Sequence, residues 1–421
     1  MERITSIRGF RDILPGESEK WQFVEEKARE IFGAYGVREI RIPILEKTDL
    51  FRRGIGETTD VVEKEMYTFV DRGDESLTLR PEATASVIRA YIEHNFFETD
   101  PVTKLFTIGP MFRRERPQKG RYRQFHQINV EMLGYEDPRI DGELISMLML
   151  FLSELGIGDL DLEINSLGCA DCRPVFREEV VRFLDHREES LCPDCRRRLQ
   201  TNPLRVFDCK VETCREAVRE APVILDSICA GCRDHFEKVK DLLDALAVPF
   251  RVNPRMVRGL DYYKRTAFEV IGHSLGSQNA VAGGGRYDGL VQELGGPDIP
   301  GIGFAIGFER LVSMLPGDET SFSSKPSLYI ATLGTAAETF AFRLLHDLRK
   351  TGLQAETDYS GKSLKAQMKR AGRSGAPYVL IVGENELAEG AVVLRNMGAG
   401  TQEKVAISEL HAKLKEIFHA R

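Results

Sequence analysis

Arginines crowd the stretch around residue 115. Residues 112–125 hold six Lys/Arg against one Asp/Glu. Phe112-Arg113-Arg114-Glu115 closes one apolar run, and Arg123 to Leu133 forms the next. A guanidinium presents its donors as a planar fork that fits a phosphate in bidentate fashion, so the chemistry suggested is the gripping of a phosphorylated ligand. Side chains alternate faces along a strand, which puts Gln127, Asn129 and Glu131 on one face and Ile128, Val130 and Met132 on the other. That polar face should lie beside the arginines. The plain alternative is a half-exposed strand with solvated charges. The Gly301/Gly303/Gly307 spacing is not G-x-G-x-x-G, which excludes the dinucleotide-binding reading.

A second kind of chemistry sits in the cysteines. All eight lie between 169 and 232, as the pairs Cys169/Cys172, Cys192/Cys195, Cys209/Cys214 and Cys229/Cys232. Three pairs are C-x-x-C and one is C-x-x-x-x-C, which is metal-ligand spacing. Two zinc sites of four cysteines each are expected, with nested pairing: Cys169/Cys172 with Cys229/Cys232, and Cys192/Cys195 with Cys209/Cys214. The alternative is a set of buried thiols without metal.

These residues need elements to position them. Trp21, Val24, Ala28, Ile31, Phe32 and Tyr35 recur at helical spacing, predicting a helix over 17–35. Leu105 to Phe112 and Arg123 to Leu133 read as strands joined by the basic turn 116–121, hence a hairpin. The polar stretch 316–326, bracketed by Pro, reads as a linker. Beyond it, a strand at 327–333, a helix at 336–351, a helix at 362–373 and a strand at 378–382 predict a small α/β domain with a mixed or parallel sheet. The division expected is 1–164 and 241–318 for one discontinuous domain, 165–240 for a Cys-rich insertion, 319–326 for a linker and 327–421 for the last domain.

The net charge of −7, from 58 basic and 65 acidic side chains, discourages nucleic-acid binding by the chain as a whole. The average hides an asymmetry. Residues 326–421 carry 13 Lys/Arg against 10 Asp/Glu, which leaves the first 325 with −10. No apolar run approaches the ~20 residues of a membrane span. The first eight residues lack the apolar stretch of a signal peptide, so a cytoplasmic location is expected.

The arginine-bearing segment resembles motif 2 of the class II aminoacyl-tRNA synthetases, and its continuation through Gln127 narrows the resemblance to the histidyl-tRNA synthetase family. Thr78-Leu79-Arg80-Pro81-Glu82-Ala83-Thr84 resembles that family's amino-acid-binding loop. Arg258-Gly259-Leu260-Asp261-Tyr262-Tyr263 resembles its histidine signature, and the stretch from Gly301 to Leu311 resembles motif 3. Pro43 stands where motif 1 places a dimer-interface proline. The matching segments run in order along the chain to about residue 311.

The resemblance implies an α+β catalytic domain on an antiparallel sheet, interrupted by the Cys-rich insertion, with a C-terminal α/β anticodon-binding domain. It implies an enzyme that activates L-histidine with ATP and Mg2+ and then transfers it to the 3′ end of histidine tRNA. Arg113, Arg258 and Arg310 are then the catalytic residues. Arg121 and Glu115 join them around ATP, with Arg121 toward the pyrophosphate. Glu82, Thr84 and Gln127 are expected to hold the α-ammonium of histidine. Glu131 and either Tyr262 or Tyr263 should serve the imidazole, with Tyr287 beside the Gly283–Gly285 wall. Arg116 and Gln118 match positions near the tRNA acceptor end. Lys362, Lys365, Lys369 and Arg373, spaced three, four and four apart, should share a helix face toward the anticodon. The other readings are a histidine-sensing regulatory paralog without catalysis, which usually lacks the last domain and an intact motif set, and a zinc-dependent nucleic-acid module, which accounts for the cysteines alone.

Overall fold

The structure is a computed structural model that describes residues 3–57, 59–100, 102–117, 120–275, 279–317, 319–323 and 325–419. It separates into two compact units, 1–320 and 321–421. The division falls within the expected linker, which is not wholly irregular: Glu319–Phe322 forms one helical turn. Among the described residues no helix is long and apolar enough to cross a membrane.

In chain order the strands of the first unit are β1 (Arg38–Glu39), β2 (Leu45–Lys47), β3 (Tyr67–Val70), β4 (Ser76–Leu79), β5 (Thr103–Phe112) and β6 (Gln124–Leu133). There follow β7 (Leu160–Ser166), β8 (Arg251–Val252), β9 (Lys264–Gly272), β10 (Ala280–Arg286) and β11 (Gly301–Gly307). Eight of them make one sheet in the order β1-β5-β6-β11-β10-β9-β7-β8, and β2-β4-β3 make a small second sheet. The large sheet is antiparallel except at its edges, where β1 pairs with β5 and β8 with β7 in parallel. The expected hairpin is β5–β6, with Gly109 opposite Gln127 and Phe112 opposite Gln124.

Helices cover the sheet because their apolar stripes match its inner face. Glu17–Ala34 buries Trp21, Val24, Ala28, Ile31 and Phe32. Trp21 stacks on Phe308 with ring centroids 4.2 Å apart, and Phe32 meets Phe106, Phe151 and Phe304. The helix Pro138–Glu154 starts with proline in its first turn, and the Asp137 side chain caps it by accepting from the Arg139 N–H at 2.9 Å.

One ionic group is sealed inside. Arg286 and Asp141 are both 0% exposed and pair at 2.8 Å, with His235 Nε2 3.1 Å from the same carboxylate. Arg286 keeps a second partner in Asp288 at 3.2 Å, whereas without Arg286 the Asp141 carboxylate is left in a low-dielectric interior with His235 alone. Arg286→Met should therefore cost about 3–5 kcal/mol, read from urea unfolding. A loss below about 1 kcal/mol would mean that His235 suffices for the Asp141 carboxylate.

Between β7 and β8 the chain is helical. Helices Cys172–Leu184, Pro193–Thr201, Glu212–Ala217, Ile224–Ser227 and Ala230–Ala245 surround a core of Phe176, Val180, Leu184, Leu199, Val206 and Ile224, into which the cysteines pack.

The second unit contains β12 (Leu328–Leu333), β13 (Ala355–Thr357), β14 (Tyr378–Gly383), β15 (Ala391–Asn396) and β16 (Gln402–Ala406), in the order β13-β12-β14-β15-β16. The first three are mutually parallel and the last two antiparallel, so the sheet is mixed. The helix expected at 362–373 spans Leu364–Ser374 and is preceded by Ser363 at its N-cap. Lys362 therefore lies before the helix rather than on its face. The exposed Lys365, Lys369 and Arg373 keep the shared face.

Candidate active site

A cavity of about 230 Å³ opens over the middle of the large sheet. Its floor is the alternating polar face of β6, through Gln127 and Asn129, with Ala305 and Gly307 of β11 and residues 280–283 of β10. Glu82 and Thr84 wall one side. The loop after β5 brings Arg113, Glu115, Arg121 and Tyr122, and the 258–263 loop brings Arg258, Leu260, Tyr262 and Tyr263. Arg310 enters from the helix Phe308–Met314.

The backbone is shaped for close approach. A methyl on Gly283 would stand 2.6 Å from the Arg258 guanidinium, and one on Gly303 would collide with the Glu131 carboxylate. Only glycine leaves those groups their places. Beneath the rim, the buried Arg80 ties strands and loops together by donating to Pro110 O at 2.9 Å, Ile42 O at 2.7 Å and Pro43 O at 3.1 Å.

The arginines are not equally compensated. Arg121 pairs with Glu115, and Arg258 pairs with Glu269. Among the described residues Arg113 donates to the Pro81 carbonyl alone, at 2.9 Å, and its guanidinium lies 5.3 Å from the Phe125 ring centroid. Arg310 donates to the Ala280 carbonyl at 2.6 Å. Neither Arg113 nor Arg310 makes an ion pair with a described residue. Burial, and then the positive charge of Arg121, pull the Arg310 guanidinium below its ordinary range. The carboxylates of the cavity, Glu82, Glu115, Glu269 and Glu309, equal its arginines in number, yet none pairs directly with Arg113 or Arg310, so an anionic ligand can pair with these two.

At the other end lies a buried carboxylate relay. Glu131 is 1% exposed, and its two oxygens accept from Thr84 Oγ1 at 2.7 Å and from the Tyr287 hydroxyl at 2.6 Å. Burial pushes its carboxyl up to about 8, against the opposing hydrogen bonds. Glu82 caps the following helix, accepting from Thr84 N at 2.8 Å and Ala85 N at 2.9 Å. The oxygens Gln127 Oε1 and Asn129 Oδ1 are buried without a partner. Unsatisfied acceptors in a cavity call for a donor, which an ammonium supplies.

Most of the expected residues therefore converge: Glu82, Thr84, Arg113, Glu115, Arg121, Gln127, Arg258, Tyr262, Tyr263 and Arg310 line one cavity. Glu131 and Tyr287 form the layer behind Thr84. Arg116 is exposed and does not line it, and Gln118 lies outside the described residues. The reading missed Glu269, which holds Arg258, and Glu309, whose carboxylate takes the His126 N–H at 2.9 Å and fixes the helix carrying Arg310. Alternation offered a signal for Glu269: it shares a face of β9 with Ala267 and Ile271, where an acidic residue is out of place.

The eight cysteines form two groups of four, Cys169/Cys172/Cys229/Cys232 and Cys192/Cys195/Cys209/Cys214. Within each, all sulfurs lie within 4.8 Å of one another, and none is in a disulfide.

This sheet, with arginines from separate segments converging on one cavity, is the catalytic architecture of a class II aminoacyl-tRNA synthetase. Residues 9–311 match the family model described as histidyl-tRNA synthetase and residues 327–417 the anticodon binding domain model, and the chain belongs to the histidyl-tRNA synthetase family. It is 56% identical over 405 residues to the histidine–tRNA ligase of Geobacter sulfurreducens, covering 96% of this chain and 98% of the relative. With the histidine–tRNA ligase of Desulfatibacillum aliphaticivorans it shares 57% over 416 residues, 99% of each. Among solved structures it resembles the apo histidyl-tRNA synthetase of S. aureus, with a TM-score of 0.81 at 38% identity over 97% of this chain and 98% of that one.

Proposed function

We propose that the chain is a histidine–tRNA ligase that forms histidyl-adenylate from L-histidine and ATP and then esterifies the 3′ end of histidine tRNA. The observation that carries this reading is a cavity whose guanidiniums Arg113 and Arg310 have no ion-pair partner among the described residues, backed behind Thr84 by a buried carboxylate relay. In the first step a histidine carboxylate oxygen bonds to the α-phosphorus as the bond to the β-phosphate oxygen breaks, and pyrophosphate leaves. Negative charge grows on the α-phosphoryl oxygens, so positioning and fixed positive charge do most of the work. Arg113 faces that charge from the hairpin and Arg258 from the opposite loop. Arg121 and Arg310 serve the remaining phosphates, with Glu115 holding Arg121.

The orphan acceptors Gln127 and Asn129, beside Glu82 and Thr84, suit the α-ammonium. Glu131, with Tyr287, Tyr262 and Tyr263, suits the imidazole, whose N–H and lone pair ask for one acceptor and one donor. Mg2+ would be carried mainly by phosphate and water oxygens, because the nearby carboxylates of Glu115 and Glu269 are already held by arginines. Bound there it adds charge neutralisation at the phosphates. The cysteine quartets suit structural zinc.

For the second step, Arg116 and Gln118 serve the acceptor end. Lys365, Lys369 and Arg373, with Lys362 just before them, serve the anticodon, which makes 327–421 the anticodon-binding domain and 165–240 an insertion in the catalytic domain of 1–164 and 241–318. A homodimer follows from the resemblance of the stretch containing Pro43 to motif 1. A cytoplasmic location fits all of this. The retained arginines and the second unit favour catalysis over histidine sensing by a regulatory paralog. ATP–pyrophosphate exchange that depends on histidine, and on no other amino acid, is the expected result. Exchange absent with histidine, or equally fast with another amino acid, overturns the reading.

A further inference from the structure

We infer that the two cysteine quartets hold zinc and that the helical module they close is a brace for the 258–263 loop, so that metal far from the reacting atoms sets the position of Arg258, Tyr262 and Tyr263. The inference rests on the histidine-activating reading above and deepens it.

The quartets fit the ion. Four thiolates around Zn2+ at ~2.3 Å stand about 3.8 Å apart in a tetrahedron. The sulfurs of each quartet lie within 4.8 Å, with Cys169 to Cys172 at 3.5 Å and Cys192 to Cys209 at 3.9 Å, so little contraction is needed. Backbone N–H groups already point at sulfur, from Cys229 to Cys172 Sγ and from Cys192 to Cys214 Sγ, both at 3.1 Å. Such donors are the usual second layer around a metal-bound thiolate.

The brace follows from what stands next to the ligands. Arg173, directly after Cys172, donates to the Asp261 carbonyl at 3.0 Å and the Tyr263 carbonyl at 3.1 Å. Asn202 ends the helix that Cys192 and Cys195 begin, and its Nδ2 donates to Asp261 Oδ1 at 2.7 Å. Arg205 lies in the 3-10 turn Pro203–Asp208, which leads into Cys209, and donates to the Arg258 carbonyl at 3.0 Å. Each quartet thus anchors an element that carries a side chain gripping the loop. The loop itself is neither helix nor strand. Its place depends on such outside bonds, yet it carries a guanidinium and two tyrosines into the cavity. Arg173, Asn202 and Arg205 act as positioning residues.

Elemental analysis of freshly purified full-length protein should find about two zinc per chain. Stripping zinc with a thiol-directed mercurial and a chelator should speed amide hydrogen exchange across 258–263 at least tenfold, leave β5 and β6 protected, and raise KM for histidine. The double variant Arg173→Ala/Arg205→Ala should keep two zinc per chain while loosening the same loop, which separates the brace from mere folding of the module. Zinc near zero, iron in its place, or a loop equally protected with and without metal overturns the inference. A zinc-loaded protein with a protected loop that fails to activate histidine would leave the brace standing and defeat the functional reading instead.

Discussion

Replacing Arg258 with alanine should lower histidine-dependent ATP–pyrophosphate exchange about 10²–10³-fold, mostly in kcat, because one preorganised donor aimed at developing charge is worth that much in a closed site. The side chain is held for the task. Glu269 pairs with it, the Tyr263 ring lies 5.3 Å from the guanidinium carbon, and Gly283 leaves it room. The loss should not be a loss of fold. Burial already pushes the Glu269 carboxyl above its ordinary range and Arg258 pulls it down, so once Arg258 is gone Glu269 can take up a proton rather than remain a bare charge. Arg258→Lys should restore little, since an ammonium lacks the planar fork. Single-turnover adenylate formation measures the effect, and a deficit under tenfold would remove Arg258 from the catalytic set.

Substitution of Glu131 should strike the amino acid and spare the nucleotide. With Glu131→Ala, KM for histidine should rise about 10²-fold or more while KM for ATP changes little, because Thr84 and Tyr287 lose the shared acceptor that orders them and the imidazole loses its partner. Equal effects on both substrates would sink the assignment. The same residue carries a pH signature. Its carboxyl titrates at about 8 in the folded chain against the ordinary 4.5, so the folded state binds the proton more tightly. The stability this proton contributes is fully present below about 4.5 and is lost as pH rises through about 8. Glu131→Gln cannot titrate. Between pH 6 and 8.5, in the absence of ligand, urea unfolding should show the variant gaining on the wild type as pH rises, and parallel curves would contradict the buried, protonated carboxyl.

The site was legible where chemistry follows local period. Gln127, Asn129 and Glu131 share a face because polar and apolar residues alternate from Gln127 to Met132 and β6 pairs without a register shift, and the basic turn marks its own hairpin. What local period does not encode is depth. Spacing places Glu131 on the right face but cannot show that Thr84 and Tyr287, 47 and 156 residues away, close over it. The same distance in sequence hid the sealed Arg286–Asp141 pair, 145 residues apart, and the grip of Arg205 on the Arg258 carbonyl. Lys362 was put on a helix face by a spacing rule that does not see the cap at Ser363. The stretch after Pro316 reads as punctuation from composition, yet four of its residues complete a helical turn.

Gly283 and Gly303 stand on neighbouring strands, against the Arg258 guanidinium and the Glu131 carboxyl respectively. A methyl at Gly283 would displace the Arg258 guanidinium, and one at Gly303 would meet the Val130 carbonyl as well as Glu131. A pocket retuned for another amino acid would have to be remodelled from the loops above the sheet, not from these two strand positions.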